Sequence, residues 1–188
     1  MKKYLIAGLG NIGEEYAETR HNIGFKILDA LAGASSISFS TERYADVARM
    51  KLKNKELILI KPSTYMNRSG KAVSYWLQHE KIPHQNLLVV VDELALPFGT
   101  IRIKTKGSDG GHNGLKHIQD TLGTNSYPRL RFGIGNDYPR GQQVNYVLSP
   151  WNDKELSALP PRIEKATEAI KSFVLAGPGI TMTKYNKG

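Results

Sequence analysis

Residues 4–25 read YLIAGLGNIGEEYAETRHNIGF, and this stretch indicates an α/β fold. Its first four residues form an apolar run typical of a buried strand. Glycines at positions 8, 10 and 13 then follow the spacing G-x-G-x-x-G, which in dinucleotide-binding folds places a pyrophosphate at a helix N-terminus. Here Glu14 and Glu15 come next, and apolar residues at helical spacing begin only at Ile23. Two carboxylates at this point argue against a bound phosphate.

The loop between this strand and the following helix carries side chains suited to proton transfer. Asn11 offers an amide, Tyr16 a phenol, and His21 the side chain that titrates near neutral pH. We therefore expect acid–base chemistry at this loop. A structural alternative exists for His21, because a histidine that opens a helix is often only a cap.

Length and composition favour a single domain over residues 1–188, since 40% of the 188 residues are hydrophobic. The net charge of +9 favours a polyanionic partner such as nucleic acid, with solubility as the alternative explanation. The chain has no cysteine, which excludes disulfides, a thiolate nucleophile and a thiolate metal site. No apolar stretch reaches about 20 residues, so we expect no membrane span and a cytoplasmic protein.

The pattern along the chain predicts a three-layer α/β/α domain with a twisted, mixed and mostly parallel central sheet. The apolar run Leu87–Val91 is typical of a central strand covered on both faces, and it ends at Asp92. In the first half of the sequence, the patterns also predict helices over 22–34 and 69–80 and an antiparallel strand pair over 45–52 and 56–60.

The second half of the sequence carries basic strands and a long helical region. Lys104 and Arg102 alternate with isoleucines, which predicts a half-exposed strand with a basic outer face. In the next strand, over 129–135, Arg129 and Arg131 are predicted to point outward. The last helical region is predicted to begin near 149–150, to be interrupted at 160–161 by two prolines, and to stop at 177–179.

Four loops carry the polar residues that chemistry needs: 11–21, 65–67, 92–99 and 110–113. Loops at the carboxyl ends of strands in α/β sheets converge on one crevice, so we expect these loops to meet. His21 and Asp92 then form a base with its orienting carboxylate. Because no serine or cysteine is offered as nucleophile, water is the expected attacking group.

An oxyanion formed in that attack needs amide donors. The candidates are Asn11, Asn67 and Asn113, and the sequence does not decide among them. As an alternative, Asn67 and Asn113 are caps of the helices they precede. No metal-ligand spacing is present, so we expect no metal and no cofactor. Among the other histidines, His112 is expected to brace its loop, and the remaining three are expected on solvated surfaces: His79, His84 and His117.

Taken in order, these stretches resemble bacterial peptidyl-tRNA hydrolases from Tyr4 to about Leu148. The motifs that carry the resemblance are GLGNIG at 8–13 with Tyr16 and RHNIG at 20–24, KPSTYMNRSG at 61–70, DELALP at 92–97 and GGHNGL at 110–115. Each motif alone is weak, but four in this order and spacing are specific.

The resemblance implies hydrolysis, without metal, of the ester that joins a peptide to the 3′ end of tRNA. It implies His21 as catalytic base, Asp92 as its partner, and the three asparagines as ligands of water, peptide backbone or the tRNA 3′ end. It also implies that Tyr16 and Met66 shape the cleft. The remaining implied residues are Lys104 and Arg131, a clamp for the tRNA 5′ phosphate, with Arg102 and Lys106 as neighbours.

Two departures from the family pattern concern the surroundings of Asp92. The family commonly has a second acidic residue where this chain has Ala95, and often a polar residue where it has Val91. Beyond Leu148 the resemblance is loose, and a basic tail from about residue 180, with Lys184 and Lys187, is expected to be disordered or to contact RNA. We expect a monomer, although the residues fix no oligomeric state.

Two alternatives remain from the sequence. A nicotinamide-dependent oxidoreductase is supported by the three early glycines alone, and it lacks an acidic ribose ligand at the end of a second strand, since Asp29 falls within a predicted helix. A non-catalytic RNA-binding protein on the same fold is the second alternative, and it has no need of His21 or Asp92. Both residues are present, which favours the enzyme.

Overall fold

The computed structural model describes residues 1–187, and a seven-stranded sheet lies at its centre. The strand order is β2-β3-β4-β1-β5-β7-β6. The strands are β1 Lys2–Gly8, β2 Ser40–Glu42, β3 Ala45–Leu52, β4 Lys55–Pro62, β5 Leu87–Glu93, β6 Ile101–Lys104 and β7 Arg129–Gly133.

Helices cover both faces of this sheet and complete the predicted three layers. The helices are α1 Ile23–Ala34, α2 Ser69–Glu80, α3 Asn113–Leu122, α4 Gln143–Val147, α5 Asp153–Ala176 and α6 Pro178–Tyr185. Two of them, α2 and α3, pack on one face around Trp76, and α1, α5 and α6 pack on the other around Phe173. Within residues 1–187, no helix has both the length and the apolar character that a membrane span requires.

The sheet is mixed, as predicted, with three parallel and three antiparallel strand pairs, and the parallel pairs lie at its centre. Strands β4, β1, β5 and β7 lie side by side and run in the same direction. The β3–β4 pair is antiparallel, and β6 runs antiparallel to β7 at the edge. The carboxyl ends of the four parallel strands therefore meet at one edge of the sheet, and Asp92 lies at that edge near the end of β5.

The glycines of the opening motif allow a helix to lie close against a strand. A Cβ atom on Gly8 would lie 2.4 Å from the carbonyl oxygen of Gly24, and one on Gly24 would lie 2.5 Å from the backbone nitrogen of Leu9. Helix α1 thus begins in direct backbone contact with the end of β1. The close approach that these glycines allow is therefore to the chain itself.

Helix α5 corrects one prediction, because it runs unbroken from Asp153 to Ala176 through Pro160 and Pro161. A proline inside a helix costs about 3 kcal/mol. Burial of Leu159 and Ile163 beside these prolines offsets much of that cost, at about 1.5–3 kcal/mol for each side chain. The helix also begins later than predicted, at Asp153, where Asn152 caps it and forms a capping box with Glu155.

Arg129 corrects a second prediction, because its side chain is buried and not outward-facing. Its guanidinium donates hydrogen bonds to the carbonyl oxygens of Gly107 at 3.0 Å, Asn125 at 2.6 Å and Tyr127 at 3.0 Å. The strand alternation places Arg129 on the polar face as predicted. Loops cover that face of the sheet, and their carbonyl oxygens accept hydrogen bonds from the buried guanidinium.

The C-terminal segment forms helix α6, where the sequence suggested a tail that is disordered or contacts RNA. Thr181 and Tyr185 are buried, and Lys184 lies within the helix. The Asn186 side chain then pairs with the edge strand: its Oδ1 accepts from the Ile103 nitrogen at 2.7 Å, and its Nδ2 donates to the Ile103 oxygen at 2.9 Å. One asparagine therefore satisfies part of the open edge of β6.

Candidate active site

His21 and Asp92 are in direct contact, as the sequence predicted. His21 lies in a short 3₁₀ helix, Arg20–Asn22, directly before α1, and Asp92 lies near the end of β5. His21 Nδ1 is 2.8 Å from Asp92 Oδ2. Because an ionised carboxylate only accepts hydrogen bonds, Nδ1 carries the hydrogen in this pair, and in the neutral ring Nε2 is then the basic nitrogen.

The pair shifts the pKa values of both groups. Burial lowers the pKa of His21, but the charge and hydrogen bond of Asp92 together outweigh burial and raise it above the ordinary 6.5. Burial likewise raises the pKa of the Asp92 carboxyl. The charges and hydrogen bonds of His21 and His112 outweigh that effect and hold this pKa well below its usual range.

His112 is a second histidine on the same carboxylate, which the sequence interpretation missed. Its Nε2 is 2.8 Å from Asp92 Oδ1, so each carboxylate oxygen holds one imidazole. Its Nδ1 accepts hydrogen bonds from the backbone nitrogens of Gly114 at 3.1 Å and Leu115 at 3.3 Å, which caps helix α3. His112 therefore braces its loop, as expected, and also orients Asp92. The only sequence signal was an imidazole placed directly before a helix.

Asn11 is held in one orientation by its neighbours. Its Oδ1 accepts a hydrogen bond from the Met66 backbone nitrogen at 2.7 Å, which leaves Nδ2 as the free end of the amide. The Asn22 side chain clamps the Asn11 backbone through two hydrogen bonds of 2.8 Å. Asn22 directly follows His21, so the base and the Asn11 amide are fixed to each other. The sequence interpretation gave Asn22 no role of its own.

The predicted loops converge on one cavity of about 270 Å³. The asparagines Asn67 and Asn113 are exposed at its margin and have no side-chain hydrogen bond within residues 1–187. Part of one wall comes from α4, an element that the sequence analysis did not predict. The cavity is lined by Asn11, His21, Met66, Asn67, Asp92, Glu93, Leu94, Gly110, Gly111, His112, Asn113, Gln143, Val144, Val147 and Leu148.

Three of the predicted residues lie outside this cavity. Tyr16 lies half-buried in a short 3₁₀ helix, Glu14–Tyr16. Lys104 is exposed on edge strand β6, and Arg131 is half-buried on β7 beside it. Arg131 is not a free cation, because its Nη1 is 2.9 Å from Glu93 Oε1.

His117 differs from the prediction of a solvated side chain. It is half-buried, and its Nδ1 accepts a hydrogen bond from the Gly70 backbone nitrogen at 2.9 Å. This contact joins α3 to the first turn of α2. That turn directly follows the short 3₁₀ helix, Met66–Arg68, in which Asn67 lies. A helix pattern could not show it, because the partner is 47 residues away.

Comparison with known proteins shows the family. A family model described as peptidyl-tRNA hydrolase matches residues 5–188. The chain belongs to the peptidyl-tRNA hydrolase family. Peptidyl-tRNA hydrolase from Phocaeicola vulgatus is 63% identical over 185 residues, which cover 98% of this chain and 99% of that protein. The one from Bacteroides fragilis is 59% identical over the same length and with the same coverage.

Solved structures of the family have the same fold. The crystal structure of peptidyl-tRNA hydrolase from Acinetobacter baumannii aligns with a TM-score of 0.91 and 36% identity, covering 97% of this chain and 94% of that one. Membership in the peptidyl-tRNA hydrolase family overturns the nicotinamide-dependent oxidoreductase, the alternative that rested on the three glycines.

The two departures from the family pattern leave the Asp92 contacts intact. Val91 is buried in the apolar cluster on the α2 face and does not point into the cavity wall. Ala95 is exposed, and its backbone nitrogen donates to Glu93 Oε2 at 3.1 Å. The hydrogen bonds that orient Asp92 come instead from the two histidines.

A metal ion fits poorly at the histidine–aspartate group. Ligand atoms of His21, Asp92 and His112 lie within 4.8 Å of one another, which is close enough for coordination. Each imidazole nitrogen that faces Asp92 already donates a hydrogen to it, and a metal would have to replace both hydrogen bonds. Both contacts orient Asp92, and His112 also caps α3.

Proposed function

We propose that this chain hydrolyses the ester bond of peptidyl-tRNA by general base catalysis, with His21 as the base. As a member of the peptidyl-tRNA hydrolase family it is a hydrolase that acts on peptidyl-tRNA. The observation that carries the mechanism is the 2.8 Å contact between His21 Nδ1 and Asp92 in the wall of the cavity. The contact fixes the tautomer in which Nε2 can accept a proton.

The proposed reaction begins with a water molecule near His21 Nε2. The water oxygen attacks the ester carbonyl carbon while Nε2 takes one of its protons, and Asp92 stabilises the imidazolium that forms. The tetrahedral intermediate then breaks its bond to the 3′ oxygen of the tRNA. His21 returns the proton to that oxygen, which releases free tRNA and the peptide acid.

The oxyanion of this intermediate needs a positioned donor, and Asn11 is our choice among the three asparagines. Its Oδ1 is occupied by the Met66 backbone nitrogen, so Nδ2 is the donor left for substrate. Asn67 and Asn113 have exposed side chains, which suits contact with the peptide backbone or the terminal nucleotide. Loss of one oxyanion donor costs about 10²–10³ in rate.

The basic edge formed by β6 and β7 is the proposed contact for the phosphates of tRNA. Lys104 and Arg131 lie there, with Arg102 directly opposite Arg131 and Lys106 just beyond the strand. The net charge of +9 supports an anionic partner. Tyr16 is proposed to contact substrate outside the cavity, and Met66 inside it. We further propose that the protein is a cytoplasmic monomer whose residues 1–188 act as one domain.

The decisive experiment is turnover of N-acetyl-aminoacyl-tRNA by the purified chain with and without EDTA, in water enriched in ¹⁸O. We expect equal rates with and without EDTA and one ¹⁸O atom in the released carboxylate, because water attacks the carbonyl carbon. Loss of activity in EDTA would contradict metal-independent hydrolysis. Binding of tRNA without turnover would instead favour the alternative, a non-catalytic RNA-binding protein.

A further inference from the structure

Arg20, the residue directly before His21, is buried although it carries a full charge. It lies in the same 3₁₀ helix as His21, and its backbone nitrogen donates to the Ser149 oxygen at 3.1 Å. The neighbouring Thr19 forms a β-bridge with Pro150. The chain around the catalytic base is therefore attached to the segment that follows α4.

The Arg20 guanidinium adds to these attachments. It donates to Glu155 Oε1 at 2.8 Å, to the Pro150 oxygen at 2.9 Å and to the Ser149 hydroxyl. It also lies 4.2 Å from the centre of the Tyr146 ring, a cation–π distance. One buried side chain thus joins the His21 segment to the end of α4 and to the first turn of α5.

Helix α4 forms part of the cavity wall and is only partly packed. None of its five residues is buried, although Tyr146 and Val147 are half-buried against the apolar core. Val144 in the helix and Leu148 directly after it line the cavity and are 68% and 36% exposed. The Tyr146 hydroxyl donates to the Ile134 oxygen at 2.6 Å. Because this partial burial covers only one side of the wall, the polar contacts at its end contribute to its position.

We propose that Arg20 is a positioning residue that holds the α4 wall of the cleft against the loop that carries His21. The proposal rests on the proposed hydrolysis of peptidyl-tRNA at this cleft. Without the contacts of the Arg20 guanidinium to Tyr146, Ser149 and Pro150 the wall moves away from His21, and substrate contacts across the cleft are lost. Proton transfer at His21 continues, since its hydrogen bond to Asp92 does not involve Arg20.

The test is the double substitution Arg20→Gln with Glu155→Gln. Removal of only one partner leaves a buried charge unpaired and endangers folding. Glu155 also accepts a capping hydrogen bond from the Asn152 nitrogen at 3.0 Å, and the amide oxygen that Glu155→Gln introduces can still accept it. We expect KM for N-acetyl-aminoacyl-tRNA to rise about tenfold with kcat within about twofold, because a uniform binding interaction is lost.

A matched control is the double substitution Lys3→Gln with Glu80→Gln. This ion pair, at 2.9 Å, joins β1 to the end of α2 on the other side of the molecule. It is expected to change thermal stability without changing KM. A general folding defect in the Arg20 variant would lower kcat through loss of active protein and leave KM unchanged, and that result would overturn the proposal.

A readout without substrate separates this proposal from the proposed function. Trp151 is buried and lies 5.7 Å from the Arg20 guanidinium, while Trp76, the other of the two tryptophans, lies in the opposite layer. If the wall moves, acrylamide quenches the fluorescence of Trp151 more strongly in the Arg20 variant. Quenching stays unchanged in the control. Unchanged quenching with unchanged KM would overturn the proposal even if the wild-type enzyme is fully active.

Discussion

The histidine–aspartate group of the cleft and the basic edge of the sheet use polar side chains in opposite ways. In the cleft, Asp92 is buried and each of its oxygens holds one imidazole, so the carboxylate and the two histidines hold one another in place. On the basic edge, Lys104 is exposed and has no acidic partner within residues 1–187. Arg131 lies between these extremes, since Glu93 pairs with it.

Under the proposed function, this difference separates the residues that catalyse the reaction from those that bind tRNA. A low-dielectric site with fixed donors changes pKa values and lowers a barrier, because no reorganisation is needed during reaction. Exposed cations attract a polyanion through counterion release, which depends on salt and tolerates small displacements. Substitutions in the cleft should therefore change kcat, and substitutions on the basic edge should change KM and its salt dependence.

The largest expected effect is that of His21→Ala. Loss of a general base costs about 10²–10⁴ in rate, and we expect kcat to fall by at least about 10² with little change in KM. Single-turnover hydrolysis of N-acetyl-aminoacyl-tRNA measures it. The control is His79→Ala, since His79 is exposed on α2. Full activity of the His21 variant would refute the assigned base.

The substitution Asp92→Asn tests the pKa of the base. Hydrolysis needs neutral His21, so the rate falls as pH drops through the His21 pKa, which Asp92 raises above 6.5 in the wild type. Without the carboxylate charge, burial dominates and lowers that pKa. We expect roughly a 10²-fold lower kcat and a rate profile whose acidic limb moves to lower pH. An unmoved limb in the pH–rate profile would show that another group titrates.

On the basic edge, Lys104→Ala should weaken binding and leave chemistry intact. We expect KM to rise about fivefold and the slope of log affinity against log salt to become shallower by about 0.7–0.9, the contribution of one phosphate contact. Titration with deacylated tRNA at several salt concentrations measures the slope. The control is Lys53→Ala, an exposed lysine in the β3–β4 turn. Equal slopes for both variants would remove Lys104 from the clamp.

The smallest effect on tRNA binding is expected for a substitution of Glu93, which lines the cavity and also pairs with Arg131 of the basic edge. Glu93→Gln removes the negative charge that pairs with Arg131 and leaves at most a neutral hydrogen bond, so phosphate competes better for that guanidinium. We expect deacylated tRNA to bind about twofold more tightly and with a steeper salt dependence. Weaker binding would mean that the ion pair orients Arg131, and that the basic edge is as preorganised as the cleft. Fluorescence anisotropy with labelled tRNA resolves a change of this size.

The sequence determined the parts of the fold that depend on local patterns. The apolar run that ends at Asp92 identified the central strand and the edge of the sheet where the carboxylate lies. The carboxylates that follow the opening glycines argued against a phosphate site in this loop. The chemistry of the loop side chains made His21 and Asn11 candidate site residues. These features follow from side-chain periodicity and from the chemistry of single residues, which neighbours in the sequence reveal.

Only the tertiary structure decided which partner each polar group has. His112 contacts Asp92 across 20 residues, and Arg129 is buried under loops that its own strand pattern cannot show. Helix α5 continues through two prolines, and burial on the sheet offsets much of their local cost. Arg20 reaches Glu155 across 135 residues. These four features have the same physical reason. Burial and long-range contacts arise from packing between distant parts of the chain. They set the orientation, hydrogen-bond partners and pKa of a side chain, and none of these can be read from its neighbours in the sequence.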